Sequence, residues 1–265
     1  MAKVLRFVRR KAKPLRHLVV RRRFLGYGVG TGKSGTTSLA RIFSPCYRAA
    51  HEAEADQLIA WILSSHPPPP GETESFVSSR DRRLWLEMES SQLLVHLLPS
   101  LLSQFPQARF VLTIRDPLSW LRSTLTHELT QEINGPWRRL ADARFGRERY
   151  SYSCAEGLLA RRGLYTLDGY LSYWAWHNAT IVGMVPPSRL LVVKTDEISR
   201  SLGKLAGFLG VGVQTLNDRA VHSARAVSSP NVLTELDPDL VADKVVAHCR
   251  PLVRDFFPEL APTSN

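Results

Sequence analysis

Between Gly30 and Ser38 the chain reads GTGKSGTTS, one lysine and five hydroxyls packed among three glycines. Those residue types suit one task, the holding of a bulky anion. An apolar run, Phe24–Val29, precedes them, and Leu39, Ile42 and Phe43 follow at helical spacing. Strand, tight loop and helix is how an α/β fold builds such a site, because backbone N–H groups converge at the helix N-terminus and the helix dipole favours negative charge there. Glycine lets the backbone approach the ligand closely. Lys33 adds a fixed positive charge, so Gly32, Lys33, Ser34, Gly35, Thr36, Thr37 and Ser38 are the candidate anion ligands. A surface turn that merely happens to be Gly-rich is the bland alternative, and it has no need of the lysine and the hydroxyls.

The loop misses the Walker A pattern by one residue. Gly32-Lys33-Ser34 supplies its end, but its first glycine falls on Tyr27, flanked by Gly26 and Gly28. A second stretch offers a partner. Arg109–Ile114 reads RFVLTI, a central strand buried on both faces, and it runs into Arg115-Asp116-Pro117. Ser123 lies eight residues beyond Arg115, inside the helix that Pro117 opens. Arginine offers a phosphate a rigid fork of donors and stays charged. On its own, Arg115 could equally pair with Asp116 or a helix end.

Together these stretches resemble the PAPS-dependent sulfotransferases, where PAPS is 3′-phosphoadenosine 5′-phosphosulfate. Lys33–Leu39 (KSGTTSL) is similar to that family's 5′-phosphosulfate loop, and Arg115 and Ser123 stand at the spacing of its 3′-phosphate grip. Leu190–Leu209 resembles the family's late strand, turn and helix, which places Thr195 near the adenine. The resemblance runs from about Phe24 to Pro258. It implies a three-layer α/β/α fold with a mostly parallel central sheet. It also implies in-line transfer of a sulfuryl group to a hydroxyl or amine of a carbohydrate, lipid or small-molecule acceptor. The product would be 3′,5′-adenosine bisphosphate and no metal would be needed; Asp116 and Glu87 are the carboxylates nearest to a Mg²⁺ position. Lys33 is then assigned to the leaving phosphate. The family's base is a His or Glu at the sheet rim. Glu52, with His51 behind it, is the choice here, and Glu89 comes next. The lysine that some branches carry around Met88–Ser91 is missing, and the family's basic-Gly loop near the C-terminus is not visible, with His222–Ser229 as its possible replacement.

Two other classes compete: a P-loop nucleotide kinase or NTPase, and a non-catalytic nucleotide-binding scaffold recruited by a basic arm. The arm is real in composition. Residues 1–23 hold ten Lys/Arg and no acid, which leaves 25 basic against 24 acidic groups in the rest of the chain. The net charge of +11 therefore belongs to the N-terminus and gives no reason to expect a nucleic-acid partner. Val4, Leu5, Val8, Ala12, Leu15 and Val19 fit a membrane-surface helix face, interrupted at Pro14, and a peripheral contact with anionic membrane is the partner this implies. A solvated arm packed on the domain is the plainer reading; an Arg-rich, acid-poor N-terminus also resembles a transit peptide. No apolar run reaches membrane-span length. Three scattered cysteines form no disulfide or metal pattern, which suits a cytoplasmic protein, peripheral to a membrane if the arm binds one.

These residues need elements to hold them. The reading divides the chain into the arm, 1–23, and a single α/β domain, 24–265. Strands are expected at 24–29, 47–51, 84–88, 109–114 and 190–193, and helices at 52–64, 90–105, 117–128, 167–184, 198–209 and 240–257. The Arg-rich stretch 129–165 is left as a substrate-facing insertion, and His66–Gly71 reads as loop.

Overall fold

A computed structural model describes residues 20–64, 71–131, 133, 135–146, 148–219 and 231–260. Five strands form one parallel sheet: β1 Gly26–Gly28, β2 Ala49–His51, β3 Met88–Ser90, β4 Arg109–Ile114 and β5 Leu190–Lys194, in the order β2-β3-β1-β4-β5. The helices in chain order are α1 Thr36–Phe43, α2 Ala55–Ser64, α3 Glu72–Leu84, α4 Leu98–Gln104 and α5 Pro117–Thr130. They continue with α6 Gly135–Phe145, α7 Gly157–Arg161, α8 Leu167–Met184, α9 Leu202–Leu209 and α10 Pro238–Phe256. The three-layer α/β/α arrangement expected from the alternation of strands and helices is present.

Side-chain alternation along β4 builds the layers. Phe110, Leu112 and Ile114 enter one apolar cluster with Tyr27, Trp120, Trp174 and the inner residues of α8 and α10. Val111 enters the other, with Leu39, Ile42 and Phe43 of α1 and Leu205 and Leu209 of α9. A strand covered on both sides has no solvent-facing side, which is why Phe110, Val111, Leu112 and Ile114 are all apolar; Arg109 is exposed at its start and the buried Thr113 meets Ser34. The α8 helix is a core helix: Tyr170, Trp174, His177 and Asn178 are all fully buried. His177 Nε2–H donates to the Val29 carbonyl at 2.8 Å, so the imidazole ties α8 to the exit of β1. Burial holds it neutral, with a pKa lowered to about 3.

The strand order reverses around β1, and its C-terminal end is where such a sheet opens a crevice. β1 leads through α1 to β2 on one side, and β3 leads across to β4 on the other.

Several boundaries differ from the sequence reading. The third strand is Met88–Ser90, because Leu84 ends α3 and Trp85 terminates that helix at φ 48. The 90–105 stretch is a 3₁₀ segment, Gln92–Leu97, followed by α4. Glu52 lies outside α2, which starts at Ala55. Arg22 and Arg23, assigned to the arm, are packed on the domain: Arg22 makes two bonds to Asp81, and Arg23 binds the fully buried Glu87. Residues 1–19 of the arm, most of the His66–Gly71 loop and the His222–Ser229 stretch lie outside the described residues. Among the described residues no helix is long and apolar enough to cross a membrane.

Candidate active site

The loop after β1 is shaped by what surrounds it. A Cβ at Gly30 would stand 2.2 Å from Thr113 Oγ1 and 2.4 Å from the Thr113 carbonyl, so only glycine passes under β4 there. Gly35 turns the chain into α1 at φ +97, a conformation that glycine adopts at no steric cost. Donors from elsewhere tie three loop carbonyls. Trp120 Nε1 donates to Gly32 at 2.8 Å, Thr195 Oγ1 to Ser34 at 2.7 Å, and Arg115 Nη1 to Lys33 at 3.4 Å. The α1 N-terminus has no side-chain cap and no acid in its first turn. Its first N–H groups have no intrahelical acceptor, and they face the crevice with an anion's worth of unmet donors.

Two cavities open beside this loop. The first, about 680 Å³, is lined by Gly35, Thr36, Thr37, Ser38, Arg115, Ser123 and Thr195 together with Lys33. The Arg115–Ser123 spacing and the loop, about 80 residues apart in sequence, do converge on one space. Desolvation, with the neighbouring Arg122, pulls the Arg115 pKa down, while Asp116 and Asp196 act the other way; a guanidinium stays charged under that load. Desolvation and then the charge of Arg115 also lower the Lys33 pKa. Thr195 lines the cavity, but its hydroxyl is spent on the Ser34 and Ile114 carbonyls, which makes it a brace of the loop. Ser34 is turned away entirely: it is fully buried, donates to the Thr31 carbonyl at 2.7 Å and lies 3.2 Å from Thr113 Oγ1. Its side chain is a strut beneath the loop and reaches neither cavity, contrary to the sequence reading.

The two carboxylates considered for a metal are both occupied. Asp116 caps α5, accepting from Ser119 N at 2.8 Å. Glu87 accepts from Arg23 N, Arg23 Nε and Arg48 N.

The second cavity, about 430 Å³, shares Lys33, Thr36 and Thr37 with the first. Helix α5 is the wall between them. Ser119 and Ser123 face the first cavity, while Trp120, Thr124 and His127 face the second. Glu52 and His51 come from the end of β2. The Glu52 carboxylate is 13% exposed and accepts from Ser91 Oγ at 2.5 Å and from Gln92 N at 3.3 Å. Burial pushes its pKa up, and those bonds with the charge of Arg144 pull part of the way back. Its backbone is left-handed, φ 49, as is that of Lys33, φ 66. His51 Nε2 lies 3.1 Å from Thr36 Oγ1, 3.3 Å from Thr37 Oγ1 and 3.9 Å from Glu52 Oε1. Desolvation and the charge of Arg41 lower the His51 pKa.

Glu89, the second candidate base, is not brought to this site. It pairs in register with Tyr27 and shares that face of the sheet. There it meets Arg80 through two guanidinium bonds, one of 2.7 Å, with both side chains below a tenth exposed. Arg80 also donates to the Ala53 carbonyl at 2.6 Å, and Arg83 binds Glu54 at 2.6 Å. Glu89 is thus the anchor of a clamp that α3 places on the turn carrying Glu52.

Residues 27–218 of the 265 match the model of the sulfotransferase domain. The chain belongs to the sulfotransferase domain family. Among solved structures, it is similar to a sulfotransferase from Alicyclobacillus acidocaldarius, at 18% identity and TM-score 0.48, over 89% of this chain and 97% of that one. It is similar to the sulfotransferase domain of a Synechococcus olefin synthase, at 13% and 0.40, over 91% and 89%. A Mycobacterium tuberculosis sulfotransferase gives 13% and 0.46, over 87% and 78%. At these values the structures carry no argument about substrate. Comparison with curated proteins gives no match.

Several residues of the second cavity of this sulfotransferase domain escape a sequence reading. Gln92, His127 and Tyr173 are among them, whereas Trp137 and Arg144, which also line it, come from the stretch 129–165 left as a substrate-facing insertion. His127 lies one helical turn beyond Ser123 on α5 but lines the second cavity, with Trp120 and Thr124. Desolvation and the nearby Lys33 charge keep its imidazole neutral. The wall formed by α6 gives no local signal.

Proposed function

We propose that this chain transfers a sulfuryl group from PAPS to a hydroxyl or amine of an acceptor, with Glu52 taking the acceptor's proton. One observation carries the reading: the two cavities meet at Lys33, Thr36 and Thr37, with phosphate-binding residue types on one side and a buried carboxylate on the other. The donor set fits PAPS. Uncapped α1 amides with Lys33 suit the 5′ end, and Arg115 with Ser123 suits the 3′-phosphate. Bound PAPS supplies an activated sulfuryl group on a phosphate leaving group.

The chain's own residues do the rest. Lys33 and the Thr36 and Thr37 hydroxyls stand where charge builds on a leaving oxygen, as in in-line phosphoryl transfer. They are fixed before any ligand arrives, because Trp120, Thr195 and Arg115 hold the loop from behind. Glu52 is oriented by Ser91 and Gln92, and its raised pKa brings it closer to neutrality than an exposed glutamate, as a base requires. Neutral His51 positions the two threonine hydroxyls. Trp120 and Tyr173 give the acceptor side aromatic surface.

Thermal melting with ligands tests the donor. At a hundred times its Kd, a ligand adds about 2.7 kcal/mol. That corresponds to a rise of roughly 5–10 °C for a domain of this size. Adenosine 3′,5′-bisphosphate should produce it in the absence of magnesium. Stabilisation by Mg-ATP alone would return the chain to the nucleotide kinases.

A further inference from the structure

Helix α6 lays one stripe along the second cavity: Trp137, Leu140, Ala141, Arg144 and Phe145, at helical spacing. Four of the five are apolar and the fifth carries a full charge. A guanidinium on a buried stripe is costly unless something pairs with it. Arg144 Nη1 donates to the neutral Gln92 Oε1 at 2.7 Å, and the guanidinium lies 5.0 Å from the centre of the Tyr173 ring. Its Nε and Nη2 are buried without a hydrogen-bond partner. No carboxylate of the described residues makes an ion pair with it. Of the titratable groups that feel its charge, Tyr173, His96 and His177 are held neutral by burial, and Glu52, whose pKa it lowers, makes no ion pair with it.

The other charged groups on the same cavity are accounted for. Glu52 has Ser91 and Gln92, and Glu128 accepts from the Tyr170 hydroxyl at 2.8 Å. Lys33 stands at the junction, where the donor's phosphate is expected. Arg144 is left as a cation within an otherwise apolar stripe, one glutamine away from the proposed base.

We propose that Arg144 selects the acceptor, and that the acceptor is a hydroxylated molecule with an apolar or aromatic body that also carries an oxyanion, either a carboxylate or a phosphate. Its body lies against Trp137 and Tyr173, its oxyanion takes the guanidinium fork in place of Gln92, and its hydroxyl reaches Glu52. A cavity of about 430 Å³ suits a compact ligand of this kind. The proposal rests on the sulfotransferase reading for the role of Glu52, but not for the preference for an anion.

The test is a binding titration without nucleotide. The probes are para-hydroxyphenylacetate and omega-hydroxydodecanoate, each against its uncharged primary amide, with para-hydroxybenzylphosphonate to separate phosphate-type from carboxylate recognition. At least one anion should bind about tenfold or more tightly than its uncharged partner, as expected for a hydrogen bond to a charged group. Arg144→Gln should remove the preference and leave amide binding unchanged, and Arg144→Lys should restore part of it. Equal binding of acid and amide, no binding of any anion, or a preference that survives in Arg144→Gln overturns the proposal. If Arg144→Gln does not fold, the wild-type comparison together with Arg144→Lys decides. The melting test with adenosine 3′,5′-bisphosphate runs separately, so a failure there sinks the sulfotransferase reading and leaves the anion preference to its own result.

Discussion

Replacing Glu52 by glutamine should disable the protein and stabilise it at the same time. The amide keeps the shape: Ser91 can turn its hydroxyl to accept, and Gln92 N can still donate to the remaining oxygen. What is lost is the ability to take a proton. General base catalysis contributes about 10²–10⁴ in rate, or roughly 3–5 kcal/mol of barrier. The stability effect follows from the direction of the pKa shift. Burial raises the Glu52 pKa above its ordinary value of 4.5, so the native state prefers the protonated form. The stability this contributes is fully present below the ordinary value and is lost as the pH rises through the raised one. At neutral pH the ionised carboxylate is a net cost that glutamine does not carry. Glu52→Gln should therefore melt above the wild type at pH 7–8, with a gap that closes as the pH falls toward 4.5. Single-turnover sulfation with labelled PAPS reads the rate, and melting across a pH series reads the stability. The wild-type rate should also fall at low pH with an apparent pKa above 4.5. A Glu52→Gln protein with the wild-type rate refutes the assignment; if His127→Ala then loses the rate, His127 is the base. A variant that melts below the wild type at pH 8 refutes the burial argument.

Three other outcomes follow from the geometry. Gly35→Ala forces a side chain to φ +97 against Ile198, so it should lose about 1–3 kcal/mol of stability and most of its donor affinity, measured by melting and by adenosine 3′,5′-bisphosphate titration. Arg115→Ala should weaken that nucleotide about 10- to 100-fold, and Ser123→Ala about 5-fold, with the acceptor-side titrations unmoved. Arg80→Leu strands the buried Glu89 carboxylate and should cost about 3–5 kcal/mol, whereas Glu89→Gln should leave the low-pH limb of the rate profile where it was.

The half of the site proposed to bind the donor is legible in the sequence because its determinants are local. A glycine that must pass under β4, a lysine in a turn and an arginine at a strand end leave their mark within a few residues. The Arg115–Ser123 spacing is read off one strand and one helix. The acceptor half is assembled from segments that do not signal one another. Helix α6 is short and Arg-rich, and its inward stripe includes a charge, so the stretch 129–165 shows no clean period. Helix α3 was missed for the same reason: among its thirteen residues only Val77 and Arg80 are buried, and the second of these is polar. Its end at Leu84 then displaced the third strand. That displacement is what made Glu89 look like a rim residue. A strand faces two ways, and one register step sends Glu89 to the side of Tyr27 while Ser90 sits under Gly28. Glu52 is singled out by its place at the end of β2, although the helix after it begins three residues later than the pattern suggests.

Lys33 and Glu52 have one thing in common besides their place at the junction of two cavities: each holds a backbone conformation that glycine adopts freely and a long side chain resists. Both positions are thus open to a replacement that relaxes the chain and erases the chemistry. A library of this domain sorted only for heat resistance should enrich glycine at both. The most robust survivors would be well folded and inert, and retention of the two side chains across related sequences would measure how strongly turnover itself has been selected.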